Sequence, residues 1–266
     1  MTPSTLELSY LDLLVATALV VLAGGISLAL RLHLEQRLAV AAARTVVQLL
    51  IIGYVLRWVF AINTPWALLP VMAVMIFLAA RAALKRAGRH YSGAHLDAFL
   101  ILLVSSLFAT FTITEVVVGV VPWYKPQYVI PLLGMVLGNS LTGISLCLDE
   151  LLERFSENRE LVEMELAHGA TRWEAARDTL REAVRRGMIP IINSMSVVGL
   201  VSLPGMMTGQ ILAGNPPLVA VKYQIVVMFM IAGATSLGCI GTAVVGYRRL
   251  FNAEHQLRAE RIEKRG

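Results

Sequence analysis

The stretch GLVSLPGMMTGQILAG, residues 199–214, lies in one of the most apolar parts of the chain and yet interrupts itself. Pro204 removes a backbone donor and Gly205 permits a bend. Met206, Met207, Thr208 and Gln210 follow at once. Ile189 to Leu203 is 15 residues, about 22 Å of helix, which is short of the ~30 Å of hydrocarbon that a span must cross. The crossing must be finished by freed carbonyls and polar side chains. Such backbone is tolerated at membrane depth only where protein or a water-filled cavity covers it. Either neighbouring helices satisfy a proline kink here, or the break lines a translocation path. The polar and thioether cluster favours the path, with Pro204 and Gly205 as its hinge.

Working outward, the 266 residues are 57% hydrophobic and 15% charged, with a mean hydropathy of +0.69. Ordinary soluble domains carry roughly 25% charged residues. Apolar runs at about 10–30, 38–60, 66–84, 96–121, 128–148, 189–213 and 219–247 are each long enough to span as helices. No ten-residue alternation suggests a barrel. The first run has no basic residue before it and no cleavage-type site after it, so it reads as a span and not as a removed signal. Cys147 and Cys239 are not a C-x-x-C pair and read as two buried thiols.

Basic residues set the expected orientation. Segments 31–37, 81–95, 149–188 and 248–266 hold 2, 4, 7 and 6 Lys+Arg, which is 19 of the 23. These segments alternate with poorly charged ones across seven crossings, which places the N-terminus outside and the C-terminus inside. The net charge of +5 is accounted for by topology and needs no nucleic acid. Trp58, Trp66, Trp123, Tyr124 and Tyr128 fall at expected outer ends, as aromatic belts do.

Segment 149–188 is the one sizeable polar piece, expected to be a cytosolic helical hairpin. Its first helix starts acidic (Asp149, Glu150, Glu153) and carries an apolar stripe of Leu151, Leu152, Phe155, Leu161, Val162, Met164 and Leu166. Gly169 is placed to end that helix in a left-handed conformation. Thr171-x-x-Glu174 is a capping-box pattern for a second helix, which is expected to run to Gly187 and meet Pro190 at the membrane. Tethering at both ends argues against DNA reading. The hairpin is either simply solvated or, as its tight His168–Thr171 tip suggests, docks into a groove of a cytosolic partner. The chain has no phosphate loop, H-E-x-x-H or G-x-S-x-G. Uphill transport would therefore draw on an ion gradient or on a separate ATPase, and the hairpin favours the ATPase.

Glu163 and Gly169 followed by Ala-Thr resemble the coupling loop of ABC-transporter permeases, although Pro190 follows Gly169 by 21 residues, later than the importer pattern would place it. A closer resemblance is to the FetB-type permeases, the membrane subunits of a bacterial iron-export ABC transporter. RTVVQLLIIGYVL (44–56), VIPLLGMVLGNSLTG (129–143), GLVSLPGMMTGQILAG and KYQIVVMFM (222–230) carry it. That family also resembles a plant aluminium-tolerance half-transporter, for which nucleotide-sugar export has been proposed. The resemblance implies a non-catalytic permease subunit in a bacterial inner membrane, acting as a homodimer among lipids with a cytosolic ABC ATPase that uses ATP and Mg. This chain would itself bind no cofactor. Coupling would run through Glu163, Glu165, His168, Gly169, Ala170, Thr171 and Trp173. The implied cargo is iron, with a role in metal and oxidative-stress tolerance; a nucleotide-sugar, another metal, or a gradient-driven carrier without an ATPase are the alternatives.

Two further patterns bear on the path. Residues 134–143 and 205–214 align without gaps, with five of ten positions identical and Asn139 opposite Gln210. If this similarity is an inverted pair, two facing breaks would line one cavity with Met135, Asn139, Met206, Met207 and Gln210; Gly134-x-x-x-Gly138 is also a plain helix-packing motif. Arg44, with Gln48 one turn on, either snorkels or presents an inward charge. Glu115 either reaches the outer interface or serves an exit for a cation. Asn193 either lines a cytosolic entrance or bonds a neighbouring helix. Glu115, Met206 and Met207 are the candidate metal contacts, although thioethers suit Cu(I) better than Fe(II). The expected whole is an all-α polytopic bundle of seven spans with a coupling hairpin, forming one permease domain over residues 1–266.

Overall fold

In the computed structural model, residues 9–252 and 254–264 are described; Arg265, counted above in the basic C-terminal segment, lies outside them. The elements in order are α1 (Tyr10–Ala29), α2 (Glu35–Ile62), α3 (Pro65–Arg86), β1 (Arg89–Tyr91), α4 (Ala94–Phe111), a π-helical turn (Thr112–Val117), α5 (Pro126–Glu157), α6 (Arg159–Ala167), α7 (Arg172–Val197), α8 (Gly205–Leu212), α9 (Pro217–Leu250), a 3-10 turn (Ala259–Arg261) and β2 (Ile262–Lys264). Among the described residues, six helices are long and apolar enough to cross a membrane: α1, α2, α3, α4 with its π turn, α5 and α9. The chain is an all-α polytopic membrane protein. It divides into two compact units, one of the described residues up to Asn63 with Leu212–Gly214, the other of Thr64–Ile211 with the described residues from Asn215 onward. In the first unit α1 packs on α2; the second contains the remaining long helices.

Local chemistry sets the boundaries. Pro65, Pro126 and Pro217 each open a helix at its first position, where no N–H is needed. Asn63 ends α2 in the left-handed conformation. Pro70, Pro131 and Pro190 sit inside helices, as neighbouring helices allow in membranes.

Three expectations are corrected. The run 189–213 is not one helix kinked at Pro204. Helix α7 already ends at Val197, residues 198–204 are irregular, and α8 is only eight residues long. The break starts earlier because Gly199 turns left-handed at φ +83°, a conformation open to glycine. Its N–H then bonds the Ser202 carbonyl (2.9 Å) while Val201 bonds back to Val197 (3.0 Å). Second, the first hairpin helix is not separate from the fifth span: α5 runs unbroken through Asp149 to Glu157, and only Asn158 parts it from α6. Third, the second hairpin helix does not stop at Gly187. It passes through Gly187 and Pro190 to Val197, 26 residues, or about 39 Å.

Gly187 is a packing residue. A Cβ there would lie 2.7 Å from both the Gly143 carbonyl oxygen and Cys239 Sγ, and 2.9 Å from Cys147 Cβ. Gly143 is equally crowded, with Thr235 Cγ2 at 2.6 Å from its would-be Cβ. Here α5 and α7 meet backbone to backbone with the Thr235 and Cys239 side chains of α9 packed against them, as small residues permit where lipid supplies no hydrophobic drive. Both thiols are buried in this contact, and Cys147 Sγ donates to the Cys239 carbonyl (3.4 Å). At the basic ends of the spans, β1 pairs antiparallel with β2, and Arg249 on α9 grips Asp97 on α4 through two bonds of 2.9 and 2.8 Å.

Replacing Gly187 by Leu is expected to overpack the crossing and cost about 2 kcal/mol, read as a lower thermal midpoint of the detergent-purified chain. Gly233→Ala on α9, where nothing lies within 4 Å of the new Cβ, is the control and should leave the midpoint unchanged or slightly raised.

Candidate functional site

Helix α8 is short but well fixed. The N–H of Thr208 bonds the Pro204 carbonyl (3.0 Å) and its hydroxyl donates to the same oxygen (3.2 Å), which starts the helix on Pro204. At the other end Asn215 N–H bonds the Gln210 carbonyl (3.0 Å) before Pro216 and Pro217 begin α9. A wide turn stands opposite: at Thr112–Val117 the helix loosens to π geometry, with Val118 N–H reaching Ile113 O (2.9 Å) and Val120 N–H reaching Thr114 O (2.9 Å). Such turns recur at functional sites.

Between α5, α8, the π turn and the start of α9 lies a cavity of about 420 Å³. Met135, Met206 and Gln210 line it, so three of the expected path residues come together. Gln127 and Tyr128 on α5, Asn215 and Tyr223 complete its polar lining; Ile113, Val118, Leu132 and Val227 are among its apolar wall. The Oε1 atoms of Gln210 on α8 and of Gln224 on α9 are buried with no hydrogen-bond partner among the described residues. A buried unpaired amide oxygen is costly, and at Gln210 it lines the cavity.

The other candidates fall elsewhere. Met207 and Thr208 are half-buried on α8 and do not line the cavity. Asn139 is exposed one turn from Met135 and donates to its carbonyl (2.9 Å). Asn193 is exposed on α7, and Glu115 is exposed on the π turn outside the cavity, so Glu115 does not share a site with Met206. Arg44 and Gln48 lie one turn apart on α2, in the other compact unit. The proposed pair of facing breaks is not formed, because 134–143 is continuous helix in α5 while 205–214 is α8 and its exit. Among the described residues no three His, Cys, Asp or Glu side chains gather as a metal site.

At the hairpin, Gly169 is left-handed (φ +93°) and Thr171 forms the expected reciprocal box with Glu174. Thr171's hydroxyl, then its N–H, holds the Glu174 carboxyl below the usual carboxylate range. Glu163 is paired with Arg159 (2.6 Å), whereas Glu165 and His168 are exposed and Ala170 is half-buried. Trp173 stacks edge-on against Tyr247 of α9 (5.8 Å). Arg172 bonds His255 and the Asn252 carbonyl (2.9 and 3.1 Å), so the tip's second helix is clamped to the C-terminal segment. Tyr91 donates to Asp97 (3.0 Å), and burial, then that carboxylate, pushes its phenol up.

Sequence reasoning missed Gln127, Tyr128 and Tyr223 as neighbours of the break, and Gln224 as a buried unpaired amide. An amide inside the apolar run 219–247 was the available signal for Gln224. It also missed the Asp97–Arg249 pair, which is 152 residues apart in sequence.

Residues 10–251 match the group described as "Uncharacterised protein family (UPF0014)". The chain belongs to this family. A membrane protein of the family from Synechocystis sp. is 40% identical over 85% of this chain and 87% of its own length. The Escherichia coli protein named "Probable iron export permease protein FetB" is 34% identical over 96% of each chain. The Arabidopsis thaliana protein ALUMINUM SENSITIVE 3 is 34% identical over 91% of this chain and 87% of its own. No solved structure matches the chain. As a UPF0014 member with several membrane-length helices it is a multi-pass membrane protein, consistent with a bacterial membrane.

Gln210→Leu is expected to leave the fold intact, with stability unchanged or higher by about 1 kcal/mol, since it removes an unpaired buried acceptor. If the cavity is the path, cargo flux through the assembled transporter should fall severalfold in the same variant.

Proposed function

We propose that this chain is the membrane permease subunit of an ATP-driven exporter whose hydrolysis is carried out by a separate cytosolic ATPase, and that iron is its cargo. The observation that carries the reading is the continuity of α7: one 26-residue helix runs from the capped tip at Thr171 to the break that begins at Val198, and Met206 and Gln210 beyond that break line the cavity. A rigid helix joining an exposed hairpin to an interrupted membrane segment is what a machine needs if its energy arrives from outside the membrane. The name of the Escherichia coli relative supports a permease and iron export.

In this mechanism the ATPase subunit engages the exposed face around Glu165, His168 and Gly169. Its closure tilts α7, and the irregular 198–204 segment and the Pro204-Gly205 junction absorb the displacement. The cavity then opens alternately to the two sides. Its donors are two thioethers, amides and phenols, all neutral. They hold a hard or borderline cation weakly, which suits release more than storage. Two copies of the chain would form the transporter with two ATPases.

The test is ATP-dependent iron uptake into inside-out vesicles carrying this chain and its ATPase, with a Walker-lysine variant of the ATPase as control. Uptake requiring both subunits and hydrolysis is expected. ATPase activity that depends on this chain without iron movement would reject iron and leave the machine, with nucleotide-sugars as the next cargo. Flux from this chain alone would reject the ATP-driven reading.

Gly169→Val should force a β-branched residue into a left-handed conformation and uncouple the subunits: hydrolysis persists while transport is lost. Transport retained at the original level would remove the tight turn from the mechanism.

A further inference from the structure

A second concavity, about 680 Å³, lies between α3 and the start of α4. Phe77, Arg81 and Lys85 follow one another at intervals of four on α3, so they share one face. His95, Leu96 and Phe99 face them from the first turns of α4. Arg81, Lys85 and His95 have no ion pair or hydrogen bond among the described residues. Their basic neighbours are engaged: Arg86 bonds Thr142, and Arg89 pairs with Glu153 and Glu157. The carboxylate in the first turn of α4, Asp97, is occupied by Arg249 and Tyr91. No acidic residue lines the concavity. Its cationic side is therefore uncompensated, and its other side is aromatic and aliphatic, with Phe77 and Leu96 more than half exposed.

The helix that carries these cations is a membrane-length helix at its basic end, which the charge bias of the chain assigns to the cytosolic interface. Arg and Lys stems at that depth lie along apolar surface and lift their heads to the headgroup layer. A free soluble anion would use the cations and leave Phe77, Leu96 and Phe99 against water. An anionic phospholipid uses both halves. We propose that the α3/α4 groove is a binding site for an anionic phospholipid of the cytosolic leaflet, with the phosphate held by Arg81, Lys85 and His95 and an acyl chain lying on Phe77, Leu96 and Phe99. This does not depend on the transport reading, because α3 and the start of α4 are outside the cavity at the break.

The experiment measures phosphatidylglycerol binding to the detergent-purified full chain by native mass spectrometry, with phosphatidylcholine as the neutral comparison. R81Q/K85Q/H95Q is compared with R159Q/R177Q/R185Q, which removes three cations from the hairpin. Each basic residue near an anionic membrane surface contributes measurably, so the groove variant should bind phosphatidylglycerol at least about tenfold more weakly. The hairpin variant should bind as the parent does, and phosphatidylcholine should bind weakly to all three. L96Q, which keeps the cations, should also weaken phosphatidylglycerol and so guards against misfolding of the triple variant. Equal binding by the groove variant and the parent would overturn the proposal. So would equal loss in the hairpin variant, or displacement of the lipid by millimolar inorganic phosphate with L96Q unaffected; the last outcome would make the site one for a soluble anion.

Discussion

The contact on which the rest depends is the crossing at Gly187, where the α7 backbone lies directly against the Gly143 backbone of α5 and against the Cys239 side chain of α9. Within a bilayer such contacts are stabilised by dispersion and close approach, because apolar burial is no gain over lipid. Gly143, Gly187, Cys147 and Cys239 are small enough to allow it. The crossing falls part-way along α7, about 22 Å from its first residue and about 15 Å from its last. One end of a single helix therefore reaches the hairpin and the other reaches the break, with a tightly packed point between them. A longer side chain at either glycine would move both ends.

The broken segment satisfies much of its own backbone locally. Gly199 and Val201 donate within the 197–202 turn, Thr208 closes onto Pro204, and Asn215 closes onto Gln210. The Gln210 side-chain oxygen is left unpaired among the described residues. Leu200 and Val201 stay 89% and 84% exposed, which is costly in water and not in hydrocarbon. The break thus combines a polar inner side, facing the cavity, with an apolar outer side, as expected of irregular backbone that borders a cavity within a membrane protein.

Much of this was legible in the sequence, and the limits have physical causes. The capping box at Thr171 and the left-handed Gly169 were readable because they depend on neighbours three or four residues away. Six of the seven apolar runs became helices because length and hydropathy decide that locally. Gly187 followed by Pro190 reads as a helix end, yet α7 continues to Val197. In water that reading is sound, but here the glycine serves a helix contact and neighbouring helices tolerate the proline. The gathering of Met135, Met206 and Gln210 was anticipated from the break, yet through a symmetry that α5 does not have. Asp97 with Arg249, and Tyr223 beside α8, belong to contacts between distant segments, and no local pattern announces them.

The C-terminal segment adds a constraint on any motion of the hairpin. Arg172 is held by His255 and the Asn252 carbonyl, Trp173 by Tyr247, and β2 by β1. The second half of the tip is therefore tied to the end of α9, which narrows the freely accessible face to α6 and the 168–171 turn. It also means that a displacement of the tip is shared. Helix α7 carries it to the 198–204 segment, while α9, a single helix from Leu250 back to Pro217, carries it to Tyr223, Val226 and Val227 in the cavity wall. On the proposed mechanism the site would thus be worked from two sides by helices clamped together at their far ends. Such an arrangement changes the shape of the cavity only when α7 and α9 move differently about the Gly187 crossing, so the irregular 198–204 segment is where that difference must be absorbed.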